Sequence, residues 1–332
     1  MSASPSISTR LLDGQRTALA RLISWAENGD ARFPSALLEI KQRLGRAART
    51  GITGPPGAGK STLTNELARH LRTTEKTVGI LAVDPSSPIT GGALLGDRIR
   101  MEDRTTDPGC FIRSMASRGS HGGIARATVD ALDVMDAFGF DELLVETVGV
   151  GQAEYDVVGA ADTVVVVLCP GAGDGVQAMK SGLLEVADVL VVNKSDMPGA
   201  DRLAKDLAES VHIRTAPAMG KNAVPAWAPP VVSCSAAKDE GIDDVLAAIA
   251  QHRAYLIDDL AGHRAIKRAN QVRHVVTEHL DEAIWGTAGW TDWVADEVRG
   301  GSTAYEAAAA VLAHLVPALP MAGAHGAKEP SV

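Results

Sequence analysis

Residues 54–62 read Gly-Pro-Pro-Gly-Ala-Gly-Lys-Ser-Thr. The run fulfils G-x-x-x-x-G-K-[ST] and sits between a short β-rich run, Gly51–Thr53, and a helical stretch. No other feature constrains the fold as tightly. The pattern needs a buried strand that hands a glycine loop to the first turn of a helix. Backbone N–H groups then turn inward around phosphate oxygens, and the helix adds its positive end. Gly54, Pro55, Pro56, Gly57, Ala58 and Gly59 form the expected cradle. Lys60 is placed to reach β- and γ-phosphates, and Ser61, followed by Thr62, to ligate Mg²⁺.

The rest of the chain supplies the sheet that such a loop requires. Apolar, β-rich runs recur at Thr77–Val83, Cys110–Ser114, Glu142–Thr147, Thr163–Cys169, Val189–Asn193 and Val231–Ser235. Several are nearly continuous Val, Ile and Leu, the mark of parallel strands buried on both faces. Helical stretches alternate with them as far as Leu256. The expectation is an α/β fold with a doubly wound, mostly parallel sheet and ligands at the carboxyl ends of its strands. Leu11, Leu12, Leu19, Leu22, Ile23 and Trp25, then Leu37, Leu38, Ile40 and Leu44, recur at helical spacing and predict an amino-terminal helical segment. Ile266, Val272, Val275, Val276, Leu280 and Ile284 share one face of a carboxyl-terminal helix. A break at Gly286–Gly289 and two further helices follow, stopped by Pro317. Domain boundaries are expected at 1–48 for the helical segment, 49–258 for the P-loop domain and 259–332 for a helical arm.

Charge and composition exclude other classes. The longest apolar run, Thr163–Cys169, falls far short of the ~20 residues that cross a bilayer, so no membrane association is expected. The opening MSASPSISTR has no apolar core of a secretory signal. Cys110, Cys169 and Cys234 are widely spaced and form neither a C-x-x-C pair nor a zinc pattern, which fits buried thiols in a reduced, cytoplasmic protein. A net charge of −9 argues against a basic nucleic-acid surface.

Three further runs stand where nucleotide loops belong. Asn193-Lys194-Ser195-Asp196 follows the apolar strand Val189–Val192 and has the N-K-x-D form of a guanine-reading loop. A carboxylate at Asp196 accepts from both N1–H and the exocyclic amine of guanine. Adenine offers no such donor pair, and the carboxylate would be left unpaired. Lys194 can lie along the base, and Asn193 can tie two loops together. Ser235-Ala236-Ala237 suits a loop closing over the base. Asp84, in Val-Asp-Pro at the end of a strand, and Glu146, at the end of another, suit a metal–water network. Gly149 N–H can meet a γ-phosphate.

The runs GPPGAGKST, LAVDPSSP, GALLGDRIRM, LLVETVGVGQAE, GAGDGVQAMKSG, NKSD and SCSA resemble the methylmalonyl-CoA mutase-associated GTPases, the MeaB/ArgK-like members of the SIMIBI class, across nearly the whole chain. The resemblance implies a P-loop GTPase domain that binds GTP and GDP with Mg²⁺ and hydrolyses GTP through Lys60, Asp97 and Glu146. Ser61, Asp84, Asp97 and Glu146 would serve the metal. It implies switch or partner-coupling roles for Gln152, Asp174, Gln177 and Lys180, and a homodimer made through the carboxyl-terminal arm. The implied function is a GTP-hydrolysing chaperone that gates adenosylcobalamin loading and protects a methylmalonyl-CoA mutase. The chain has no D-x-H-x-x-G motif, so cobalamin is expected on the partner. Two alternatives are a metallochaperone-type GTPase and a transport-associated ATPase or kinase of basic amino acids. The first calls for clustered His and Cys, but the nine His are scattered. The second conflicts with the guanine-type NKSD.

Overall fold

The computed structural model describes residues 5–85, 107–117, 123–147, 159–171, 182–215, 227–286 and 289–315. The chain opens with α1 (Ile7–Leu12), α2 (Arg16–Asn28) and α3 (Phe33–Ile40). Ser6 caps α1 by accepting from Thr9 N at 3.1 Å. The amino-terminal apolar pattern is interrupted between α1 and α2, where Gly14 takes φ +77° and turns the chain. Then come β1 (Ala48–Thr53), α4 (Lys60–Thr73), β2 (Val78–Pro85), β3 (Cys110–Ser117), α5 (Gly123–Phe138), β4 (Glu142–Thr147) and β5 (Thr163–Leu168). They are followed by β6 (Val189–Val192), α6 (Ala200–Thr215), β7 (Val231–Ser233), α7 (Ile242–Leu256), α8 (Leu260–Trp285), α9 (Trp290–Arg299) and α10 (Ala304–Leu315).

Seven strands form one parallel sheet in the order β3-β2-β4-β1-β5-β6-β7. All seven lie where the apolar runs predict them. Alternate residues bury opposite faces. On β4, Leu143 and Val145 join α2 and α5, whereas Leu144 faces the core under α4 and α7. On β5, Val165 and Val167 share that second core, and Val164, Val166 and Leu168 pack beneath α6. Two buried faces explain why the strands read as unbroken apolar runs. At ~25 cal/mol per Å² of apolar surface removed from water, this double burial is the main force ordering the sheet.

β1 starts earlier than its apolar residues suggest. Arg49 is 7% exposed, inside the sheet's amino edge. Its Nη2 donates to Asp133 at 2.8 Å and to Asp136 at 3.0 Å, both on α5. Asp136 also accepts from the backbone N–H of Gly45, Arg46 and Ala47 at 2.7, 3.1 and 2.9 Å. One carboxylate therefore sets where the chain turns from the helical segment into β1.

The chain divides into two compact units, Met1–Val272 and Arg273–Val332. In the second unit α9 packs on α10, and Ala307 and Val311 are buried. Among the described residues no helix is long and apolar enough to cross a membrane.

Candidate functional site

β1 lies between β4 and β5, and its carboxyl end opens into the glycine loop before α4. The chain runs to opposite sides of β1 before and after β4, so the loop emerges at the sheet's topological switch point, where open α/β sheets bind ligands. Two glycines make the close fit possible. Gly54 adopts φ +138°, and a Cβ there would run into the Val167 carbonyl of β5. Gly59 adopts φ +90°, and a Cβ there would strike the Asn193 side-chain amide.

Lys60 opens α4 and is 6% exposed. Its ammonium donates to the carbonyls of Gly54 at 2.8 Å and Pro55 at 3.0 Å, so the loop wraps the lysine head. Pro56 and Gly57 lie exposed along the loop, Ala58 is buried, and Thr62 is exposed on the first turn of α4. Ser61 Oγ donates to Glu146 Oε1 at 2.5 Å. Glu146 is 5% exposed, at the carboxyl end of β4 beside Ile52 of β1. One residue on, Thr147 Oγ1 donates to Thr53 Oγ1 at 3.0 Å and ties the ends of the two strands together.

The loops after β6 and β7 close on the same edge. Asn193 Nδ2 donates to the Ala58 carbonyl at 2.9 Å, while its Oδ1 accepts from Ala236 N–H at 3.0 Å. A single buried amide thus joins the glycine loop to the Ser-Ala-Ala loop. Lys194, in the left-handed region at φ +58°, donates to the Gly57 carbonyl at 2.7 Å. Asp196 accepts from Ser235 Oγ at 2.8 Å and pairs with Lys238 Nζ at 3.1 Å. The Ser235 hydrogen bond first, and then Lys238, hold its carboxyl below the usual carboxylate range. Ala237 is exposed in the same loop. The loop is anchored to α4 as well, since Asp239 accepts from His70 at 2.7 Å and pairs with Arg69.

The structure therefore brings together Gly54–Thr62, Glu146, Asn193, Lys194, Asp196 and Ser235–Ala237. Asp84 is the last residue but one of β2, at the same carboxyl end of the sheet. Asp97, Gly149, Gln152, Asp174, Gln177 and Lys180 lie outside the described residues. Sequence reasoning missed Thr53, Thr147 and Lys238. The N-K-x-D motif names its carboxylate but carries no sign of a counter-ion from a distant loop, and a hydroxyl pair across two strands needs the strand order.

The chain matches the family described as "Methylmalonyl Co-A mutase-associated GTPase MeaB" over residues 19–288. The chain belongs to this family. A Pyrococcus abyssi protein with a provisional GTPase name is 47% identical over 277 residues, 83% of this chain and 84% of that one. The mouse mitochondrial protein named methylmalonic aciduria type A homolog is 33% identical, covering 82% of this chain and 70% of its own. Among solved structures, the "LAO/AO transport system kinase" superposes with a TM-score of 0.69 at 24% identity, covering 95% of this chain and all of that one. That likeness establishes the shared fold. Family membership makes the protein a GTPase, an enzyme that binds guanine nucleotide and hydrolyses GTP.

Proposed function

We propose that this GTPase is the chaperone of an adenosylcobalamin-dependent methylmalonyl-CoA mutase, gating cofactor loading and protecting the mutase in the cytoplasm. The observation that carries the reading is the match to the mutase-associated family over residues 19–288, with the glycine loop, NKSD and Ser-Ala-Ala loops gathered at one sheet edge. The mouse relative, whose name refers to methylmalonic aciduria, supports the same partner.

In this reading the loop Gly54–Gly59 holds the phosphates through backbone N–H groups, and Lys60 leaves its two loop carbonyls for the β- and γ-phosphate oxygens. Asp196 exchanges Ser235 and Lys238 for the N1–H and amine of guanine. Lys194 lies along the base, and Ala236 and Ala237 close over it. Ser61 and Glu146 present two oxygen donors 2.5 Å apart at the head of α4, the donor type a hard divalent cation takes. With Asp84 and Asp97 they would hold Mg²⁺, which when bound neutralises charge on the phosphates. Gly149 N–H meets the γ-phosphate, and Asp97 orients the attacking water. Gln152, Asp174, Gln177 and Lys180 carry nucleotide state to the mutase.

The test is GTP turnover with and without the mutase at saturating GTP. The mutase should stimulate the wild type. Lys180→Ala should keep basal turnover within a few-fold and lose most of the stimulation. A wild type indifferent to the mutase would end the chaperone reading.

A further inference from the structure

Ser235–Glu240 forms a small closed turn. Its two ends exchange backbone hydrogen bonds, Ser235 N–H to the Glu240 carbonyl at 2.9 Å and Glu240 N–H to the Ser235 carbonyl at 3.2 Å. Between them Ala236–Lys238 make a single tight helical turn, and Asp239 ends it in the left-handed region at φ +61°. The front of this turn is tied to the base-reading loop by the Ser235–Asp196 and Ala236–Asn193 hydrogen bonds. The back is tied to α4 by Arg69 and His70.

His70 does more than hold the turn. It lies in the last turn of α4, and Asp243 lies in the first turn of α7. His70 Nε2 is 2.7 Å from Asp239 Oδ1, and its Nδ1 is 2.7 Å from Asp243 Oδ1. Carboxylates only accept, so both ring nitrogens donate and the ring is an imidazolium. The carboxyl end of α4, with the negative end of the helix dipole, favours that charge. The charged groups facing the ring are Glu66 and Arg69 on α4, Asp239 on the turn and Asp243 on α7. Three carboxylates thus meet one arginine and the histidine. Partial burial pulls the proton affinity of His70 down, but its hydrogen bonds to Asp239 and then Asp243 outweigh this and hold it above the ordinary histidine value. A neutral ring has one N–H, so one of the two carboxylates would lose its donor.

We propose that His70 is a positioning residue for guanine binding: as an imidazolium bridging Asp239 and Asp243 it fixes the turn that closes over the base, and its deprotonation loosens the turn and weakens nucleotide binding. The inference rests on the reading that Asp196 and Ser235–Ala237 receive guanine. Apparent affinity falls in proportion to the fraction of molecules whose turn is in place. Below the ordinary histidine value, about 6.5, the ring is charged and the grip is complete. The grip is lost as pH rises through the raised value.

GDP binding to the full-length protein is measured by calorimetry from about pH 6 to about pH 9. Wild-type affinity should fall several-fold more over this range than that of His70→Gln, which donates but takes no charge. GDP itself titrates alike for both proteins, so the difference between the curves belongs to position 70. At the acid end His70→Gln should raise KM for GTP several-fold while kcat stays close to that of the wild type, because the turn meets the base and not the γ-phosphate. Parallel pH curves for the two proteins would overturn the proposal. Asp243→Asn, at a side chain 86% exposed, tests it without touching the ring. Loss of that carboxylate should move the midpoint of the fall to lower pH, and an unmoved midpoint would also overturn the proposal. Asp196→Asn separates the two readings. If that variant still prefers GTP to xanthosine triphosphate, the base site itself is misassigned. If it switches preference while the His70 curves run parallel, only the role of His70 fails.

Discussion

Asp196 carries base choice, and its neighbours define what a substitution does. Ser235 Oγ and Lys238 Nζ occupy its two oxygens. Guanine must replace both with its own donors. Asp196→Asn puts an N–H₂ where guanine also presents N–H, so donor faces donor. GTP affinity should fall, and xanthosine triphosphate, which offers an acceptor there, should gain. Competition binding with GTP, ATP and xanthosine triphosphate measures it, and unaltered GTP binding would remove Asp196 from the base site. Lys60 behaves differently. It is buried and bonded to two loop carbonyls. Lys60→Ala should therefore lower GTP turnover by orders of magnitude and also cost the apo protein about 1–2 kcal/mol, read from urea unfolding. Normal turnover in this variant would show that Lys60 stands away from the reaction.

At the scale of elements, α5 and α7 each reach the sheet through ionisable groups. Asp136 of α5 accepts three backbone N–H groups before β1 and the Arg49 guanidinium. Asp136→Ala strips a buried arginine of one of its two carboxylates and orphans three amides. A loss of about 3–5 kcal/mol in unfolding free energy is expected, as for a broken buried pair. A loss under ~1 kcal/mol would mean that water replaces the carboxylate. On α7, His252 packs against Trp227 with ring centroids 4.9 Å apart and planes tilted by 57°, and its Nδ1 lies 2.9 Å from Thr163 Oγ1. Burial, helped by the positive charges of His263 and Lys267, holds its imidazole down at about 4. The unfolded chain protonates this histidine near its ordinary value, about 6.5. Between those values the unfolded state binds the extra proton, so stability falls as pH drops from about 6.5 towards 4. Urea midpoints at neutral pH and at pH near 5 should differ, and His252→Gln should shrink the difference. An unchanged slope would locate the acid sensitivity in another group.

At the scale of the whole molecule, the second unit leaves apolar side chains in water. Val276 is 51% exposed and Leu280, four residues on, 38%. We propose that this stripe of α8 is where two copies of the chain meet. Val276→Glu with Leu280→Glu should convert a dimer to a monomer in light scattering while basal GTP turnover stays unchanged, and an unaltered mass would move the contact elsewhere. The sequence determined much by itself. Buried parallel strands must be apolar on both faces, so runs such as Thr163–Leu168 reveal themselves without tertiary knowledge. The glycine loop and NKSD are equally local, because backbone N–H groups and one carboxylate do the recognising. Tertiary structure decided whatever depends on partners far apart in the chain. The opening of β1 was hidden because Arg49 reads as a surface residue, and only Asp133 and Asp136 make its burial affordable. The placement of β4 between β2 and β1, the Thr53–Thr147 bridge and the Lys238 counter-ion share that origin. Each is a property of which strands become neighbours, and a linear pattern of residues does not contain it.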